Sequence, residues 1–241
     1  MKKGMKRFYS QVEIAEKAEN AASSFQILLD GRVLKSPAGE PLLLPNASLA
    51  ACIKTEWDQV EQDIHPDNMP YFSAAATVID RVMPQAETLR EQLIGFAGNE
   101  LICYRAPDDE RELYSHQQQH WDSWLEWAEN VHHISLNIQS GIMPVKQDEQ
   151  SLQHCRIAIE QYDDWYLSCF VRAAQISGSF VLSLAFMHQK IDYQQLFNLS
   201  FLEELYQNER WGCDDEAAAR QQQLKTDLKD VSDFLQIISA A

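Results

Sequence analysis

The sequence predicts an α+β fold: a small N-terminal α+β domain of short antiparallel strands plus a helix, then a larger all-α domain. Three observations carry this. Asp30-Gly31 stands between the apolar runs 25–29 and 32–34, and an Asp-Gly pair suits the tight turn whose twist matches two paired strands. From residue 70 onward apolar residues recur at helical rather than alternating spacing. Residues 180–187 are apolar almost all round, the signature of a central, buried helix.

Taken in order, residues 8–14 read as a first strand, and 25–29 and 32–34 as the hairpin. Ser36-Pro37-Ala38-Gly39 is a second turn, and 41–44 a third strand. Leu49, Ile53, Trp57 and Val60 form a helical stripe able to cover one face of the sheet. Pro66 and Pro70 then punctuate the chain, which places the domain boundary at 68/69: an N-terminal domain 1–68 and a helical domain 69–241. Short helices at 74–82 and 86–97 are separated near Pro84. The run 109–133 is rich in Glu and Gln and carries Trp121, Trp124 and Trp127 at steps of three along one face. Gly141 and Pro144 make 135–145 an extended connector. Helices follow at 149–162, through Trp165, Phe170 and Ala173, and at 179–188. Residues 200–212 form an acidic helix that bears Leu202, Leu205, Tyr206 and Trp211 and stops at Gly212 in a left-handed turn. The last helix, 214–238, docks a stripe of Ala217, Leu224, Leu228, Val231, Leu235 and Ile238 on a neighbour.

The net charge of −16 is uneven: residues 1–40 carry +2 and the remainder −18. An acidic body repels phosphate backbones, which excludes nucleic acid as a partner and suits a partner with a basic surface. Five scattered cysteines (Cys52, Cys103, Cys155, Cys169, Cys213) without a C-x-x-C pair indicate a reducing compartment and no disulfide frame. The basic start, Met1-Lys2-Lys3-Gly4-Met5-Lys6-Arg7, is not followed by an apolar run, so it is no secretory signal. The longest apolar stretch is far short of the ~20 residues that span a bilayer. The chain reads as soluble and intracellular, with no membrane insertion.

Motifs that carry chemistry are few. Glu112, His116 and His120 fall at i, i+4 and i+8 on one helix face and have respectable metal-ligand spacing, but Gln117-Gln118-Gln119 lies between the histidines and no H-E-x-x-H pattern is present. A solvated helix face outweighs a metal site there. The adjacent His132-His133 cannot face one way on a helix. Asp108-Asp109, Asp163-Asp164 and Asp214-Asp215 each stand at a helix start, where capping and the helix dipole account for them better than catalysis. Ser177 or Ser179 caps the following helix, and Asp80-Arg81 reads as framework. No phosphate loop or nucleophile elbow occurs. No cofactor, no metal and no small-molecule substrate are expected.

The ordered set of short motifs points elsewhere. It comprises Lys6-Arg7-Phe8-Tyr9, Leu28-Leu29-Asp30-Gly31-Arg32, Lys35-Ser36-Pro37-Ala38-Gly39, Leu43-Leu44-Pro45, Glu56-Trp57 and Met69-Pro70. It continues with Ile79-Asp80-Arg81, Leu101-Ile102-Cys103-Tyr104-Arg105, Trp121-Asp122, Gly141-Ile142-Met143-Pro144-Val145, Gly178-Ser179 and Trp211-Gly212. In this order, over nearly the whole chain, it resembles the family of assembly chaperones for the catalytic head of F-type ATP synthase, the ATP12 type that handles the α subunit. The resemblance implies the same α+β plus helical fold and a non-enzymatic role: holding the unassembled α subunit of F1-ATPase until the β subunit replaces it. It also implies that an acidic residue in the helix before Trp-Gly is functional. That role maps to Glu204, with Glu203 and Glu209 as lesser candidates and Trp211 as an aromatic anchor beside them. The chain departs from the family at Glu203, where Asp is expected, and at Ser73-Ala74-Ala75-Ala76, blander than usual. The resemblance starts at Lys6, which leads to the expectation of a bacterial cytoplasmic protein, or of the mitochondrial matrix for a eukaryotic source. The alternative is a small-molecule or metal-dependent hydrolase using Glu112, His116 and His120.

Overall fold

The computed structural model describes residues 5–19, 22–107, 109–141 and 143–240. Met1–Gly4 of the basic start, Asp108 of the first carboxylate pair, and Ile142 lie outside them. The fold is α+β, and the chain forms two compact units: residues 1–86 with 233–241, and residues 87–232. The sequence boundary at 68/69 falls within the first of these.

In the first unit β1 (Met5–Lys6) pairs antiparallel with β5 (Asp63–Ile64). A second sheet holds β2 (Val12–Glu19), β3 (Ala22–Leu29) and β4 (Arg32–Val33) in that order, all antiparallel, with Val12 opposite Leu29 and Leu28 opposite Val33. Asp30 (φ +47°) and Gly31 (φ +75°) both take left-handed backbone, the conformation the two-residue turn demands. The Asp30 carboxylate also accepts from the Ser10 and Gln11 N–H groups at 3.0 and 2.8 Å, which fixes the entry to β2. Residues 41–44 do not form the continuous third strand expected of them: they make two isolated bridges, Lys35 to Pro41 and Phe25 to Leu44. Pro41 and Pro45 deny this segment a regular ladder.

Helix α1 (Ala47–Asp58) packs on β2 and β3 through Leu49, Ala50, Ile53 and Trp57, all buried. Its cap Asn46 accepts from Leu49 N–H at 2.8 Å through Oδ1. Its amide donates at 2.9–3.0 Å to the carbonyls of Ile237, Ile238 and Ala240. One side chain thus closes the start of one helix and the end of another. The Glu56 carboxylate accepts from Tyr71 and Phe72 N–H (2.7 and 2.8 Å) at the start of α2 (Pro70–Thr77). Past α2 the chain stays helical where the sequence suggested a break. A π turn over Val78–Val82 and a 3₁₀ turn over Met83–Gln85 lead to Ala86, so Pro84 is absorbed by changes of helical winding. Asp80 is framework, but through the second turn: it accepts from Ser36 Oγ (2.5 Å) and Ala38 N–H (3.0 Å).

The second unit is helical: α3 (Ala86–Gly98), α4 (Arg111–His132), α5 (Glu149–Glu160), α6 (Asp164–Ser177), α7 (Phe180–Met187), α8 (Tyr193–Ser200), α9 (Leu202–Trp211) and α10 (Asp215–Ser239), whose last residues belong to the first unit. A two-residue parallel pair joins β6 (Tyr104–Arg105) to β7 (Gln139–Ser140) within the connector region. Asp163 caps α6, Ser179 caps α7, and Asp214 accepts from Ala217 N–H at 2.8 Å, as capping chemistry predicts. Helix α8 was not anticipated, although Asp192 and Gln195 form a capping box at its start. Gly212 ends α9 at φ +84° and ψ 166°, an extended glycine conformation rather than the left-handed turn expected. No helix among the described residues is long and apolar enough to cross a membrane.

All eight residues of α7 are buried, so its leading N–H groups need partners inside the protein. Glu100, fully buried, supplies them: its carboxylate accepts from Val181 N–H at 3.0 Å and from Ile102 N–H at 3.3 Å. Burial pushes this carboxyl from 4.5 up to about 7, against the hydrogen bonds from Ser179 and the neighbouring backbone that lower it.

Two predictions follow from these contacts. Nothing lies within 4 Å of a Cβ built on Gly31, so the penalty of Gly31→Val is backbone strain, about 1–2 kcal/mol. The variant should melt several degrees lower, and an unchanged melting temperature would count against the turn. For Glu100 the folded value is raised, so its contribution to stability is complete below 4.5 and lost as pH rises through about 7. Denaturation of wild type and Glu100→Gln across that window should show the wild type losing roughly 3 kcal/mol more than the variant. Parallel pH profiles would refute this assignment.

Candidate partner-docking site

The four sequence candidates lie on α9 in the second unit. Glu203 and Glu204 occupy its first turn, where negative charge complements the helix dipole, and Arg210 its last. Leu202 is buried and holds the helix down. Beside the first turn opens a cleft of about 340 Å³ lined by Leu101, Trp121, Ser200, Phe201, Glu203, Glu204 and Gln207. The structure therefore brings Glu203 and Glu204 together at one cleft. Glu209 and Trp211 are exposed farther along the helix, Trp211 at 76%, and neither lines it.

The two carboxylates have different surroundings. Glu203 accepts at 2.5 Å from the amide of Gln117, itself fully buried and accepting from Ala106 N–H at 2.7 Å. Partial desolvation pushes the Glu203 carboxyl above its ordinary value, and the Glu110 charge adds to this while the Gln117 bond opposes it. Glu204 is bound from α10: the Gln221 amide donates at 2.7 Å and the Arg220 guanidinium reaches both oxygens at 3.3 Å. The Arg220 guanidinium also stands 6.0 Å from the Phe201 ring. The floor carries the apolar side chains of Leu101, Trp121 and Phe201. Trp121 is buried, donates from Nε1 to the Leu199 carbonyl at 2.9 Å, and lies 5.2 Å from the guanidinium of buried Arg105, which donates to Asp122 at 2.7 Å. Among the described residues the shielded Ser200 hydroxyl has no hydrogen-bond partner. The arrangement can receive an apolar stem that ends in a donor or a positive charge. It holds no nucleophile activated by a base.

Sequence reasoning missed Gln117, Ser200 and Phe201. The sequence places Gln117 in a solvated Gln run, yet Leu113, Gln117 and Trp121 step by four along one face, and that stripe is the buried side of α4. The trio Glu112, His116 and His120 is partly taken up elsewhere. Glu112 pairs with Arg210, which holds its carboxyl below the ordinary range, and Tyr206 donates to it at 3.4 Å. The His116 and His120 rings are 4.6 Å apart, and burial beside His116 lowers His120. No group of three or more His, Cys, Asp or Glu side chains placed to hold a metal occurs among the described residues.

The family model described as ATP12 chaperone protein matches residues 6–129. The mitochondrial protein atp12 of Schizosaccharomyces pombe is 29% identical over 215 residues, covering 83% of this chain and 74% of that one. The mitochondrial ATP12 of Saccharomyces cerevisiae is 21% identical, covering 88% and 78%. The crystal structure of Atp12 from Paracoccus denitrificans superposes with a TM-score of 0.90 at 31% identity, covering 97% of this chain and 98% of that one. The matching family model, the two yeast relatives and a full-length structural counterpart converge: this chain belongs to the ATP12 chaperone family, a family named for chaperoning rather than for catalysis.

Proposed function

We propose that this protein is an assembly chaperone that binds the unassembled α subunit of F1-ATPase and protects it from aggregation until it joins the β subunit. The likeness to Paracoccus Atp12 along 97% of the chain is the observation that carries the reading, and the ordered motifs of the sequence support the α subunit as partner. An unpaired subunit exposes apolar interface and is an aggregation hazard. A protein that covers it needs apolar anchors, polar groups that fix orientation, and binding weak enough to be displaced. The cleft with its Trp121 and Phe201 floor and two carboxylates at the rim has that character, and exposed Trp211 adds an aromatic anchor. Glu204 and Glu203 are the principal contacts, with Glu209 and Trp211 extending the surface along α9. In the hydrolase alternative Glu112 would have to leave its pairing with Arg210 to serve as a ligand. The two yeast relatives are mitochondrial. The Paracoccus likeness supports the bacterial cytoplasm for this chain, with the matrix as the counterpart in a eukaryote.

The test is Glu204→Gln, which keeps size and removes charge. The Glu204 side chain is 33% exposed and its partner Arg220 59%, so their solvent-screened pairing contributes under about 1 kcal/mol and the variant should melt close to wild type. Its capacity to keep newly made α subunit soluble should fall several-fold, as expected when a charge is lost from a desolvated contact. A normal melt with full α-subunit protection would move the site elsewhere. Wild-type protein that leaves the α subunit to aggregate would end the functional reading itself.

A further inference from the structure

Six of the seven histidines belong to the second unit, and one pair among them is unlike the others. His132 is the last residue of α4, and His188 caps the C-terminus of α7. Their rings are 4.9 Å apart with planes inclined at 53°, and Trp127 stands edge-on to both, at 4.9 and 5.9 Å. Both Nε2 atoms are shielded from solvent and, among the described residues, neither has a hydrogen-bond partner. Two shielded imidazole nitrogens left without partners, on rings this close, are costly unless something occupies them. The neighbouring pair differs: His154 Nδ1 is engaged with the His133 carbonyl. His116 and His120 form an ordinary i, i+4 pair on a helix.

We propose that His132 and His188 form a two-imidazole site for a borderline divalent transition metal, Zn²⁺ or Cu²⁺. Bonds of about 2.0–2.1 Å to each nitrogen place a ring centroid roughly 3 Å from the ion, and a near-tetrahedral angle then separates the two centroids by roughly 5 Å. The observed separation fits this. The pair supplies two of the ion's ligands. Because His132 ends α4 and His188 ends α7, the ion clips the C-terminal ends of two helices together. This site is separate from the α9 cleft.

The test uses the full chain and ZnCl₂ alone. Calorimetric titration should show saturable binding that weakens about tenfold or more in His132→Gln and in His188→Gln, and survives in the double variant His116→Gln/His120→Gln. Long-range ¹H–¹⁵N spectra of the native protein should show the His132 and His188 ring nitrogens shifting on saturation, a readout that does not depend on either variant folding. Absence of saturable binding, binding lost only with His116 and His120, or unmoved His132 and His188 resonances at saturating Zn²⁺ would each overturn the site.

Discussion

A single carboxylate with no access to water organises the second unit. Glu100 closes the first turn of a helix whose every residue is buried, and the same side chain accepts from the 3₁₀ turn that follows it. A solvent-exposed helix start has water to satisfy its free N–H groups; α7 does not, so the protein must carry its own acceptor there. The consequences reach outward. Leu101, next in sequence, lines the cleft, and β6 then delivers Arg105 to Asp122 and over the ring of Trp121. The cleft's floor is thus set from within the core, while its rim belongs to a surface helix.

That rim is built with unequal tethers. Glu203 is linked to the interior through Gln117, whose carbonyl and amide are both committed. Glu204 is linked to α10 through Arg220 and Gln221. A basic group arriving at the cleft competes with an internal arginine for one carboxylate and meets the other already polarised by a buried amide. Under the proposed function such a surface would favour exchange over permanence, as a chaperone that surrenders its client requires.

What the sequence disclosed was what local physics decides. Asp30-Gly31 adopts the two positive φ values its turn type requires, Asp163 and Ser179 cap the helices they precede, and the almost wholly apolar stretch before His188 is buried throughout. What it concealed was non-local or irregular. The 41–44 segment has strand composition, but its prolines break the ladder. The π turn ahead of Pro84 has no composition of its own. Helix α8 did carry a legible signal in its capping box. At the site, an acidic helix with a terminal tryptophan was visible in the sequence, and the preference for Glu204 came from family likeness. Its setting was not visible: Gln117 lies 86 positions before Glu203 and Gln221 lies 17 after Glu204. Only the step-of-four stripe through Leu113 and Trp121 hinted that Gln117 faces inward.

The Asn46 bridge bears on how the chain is made. Its amide grips carbonyls 191 to 194 positions later, so the unit written first on the ribosome is fastened by residues written after the whole helical unit. The contiguous stretch 87–232 can complete its own core as it emerges, whereas the sheet and α1 wait for 233–240 before their helix cap is doubly committed. Order of synthesis and order of closure are reversed, and cutting the chain after residue 86 would yield an incomplete module rather than a free-standing one.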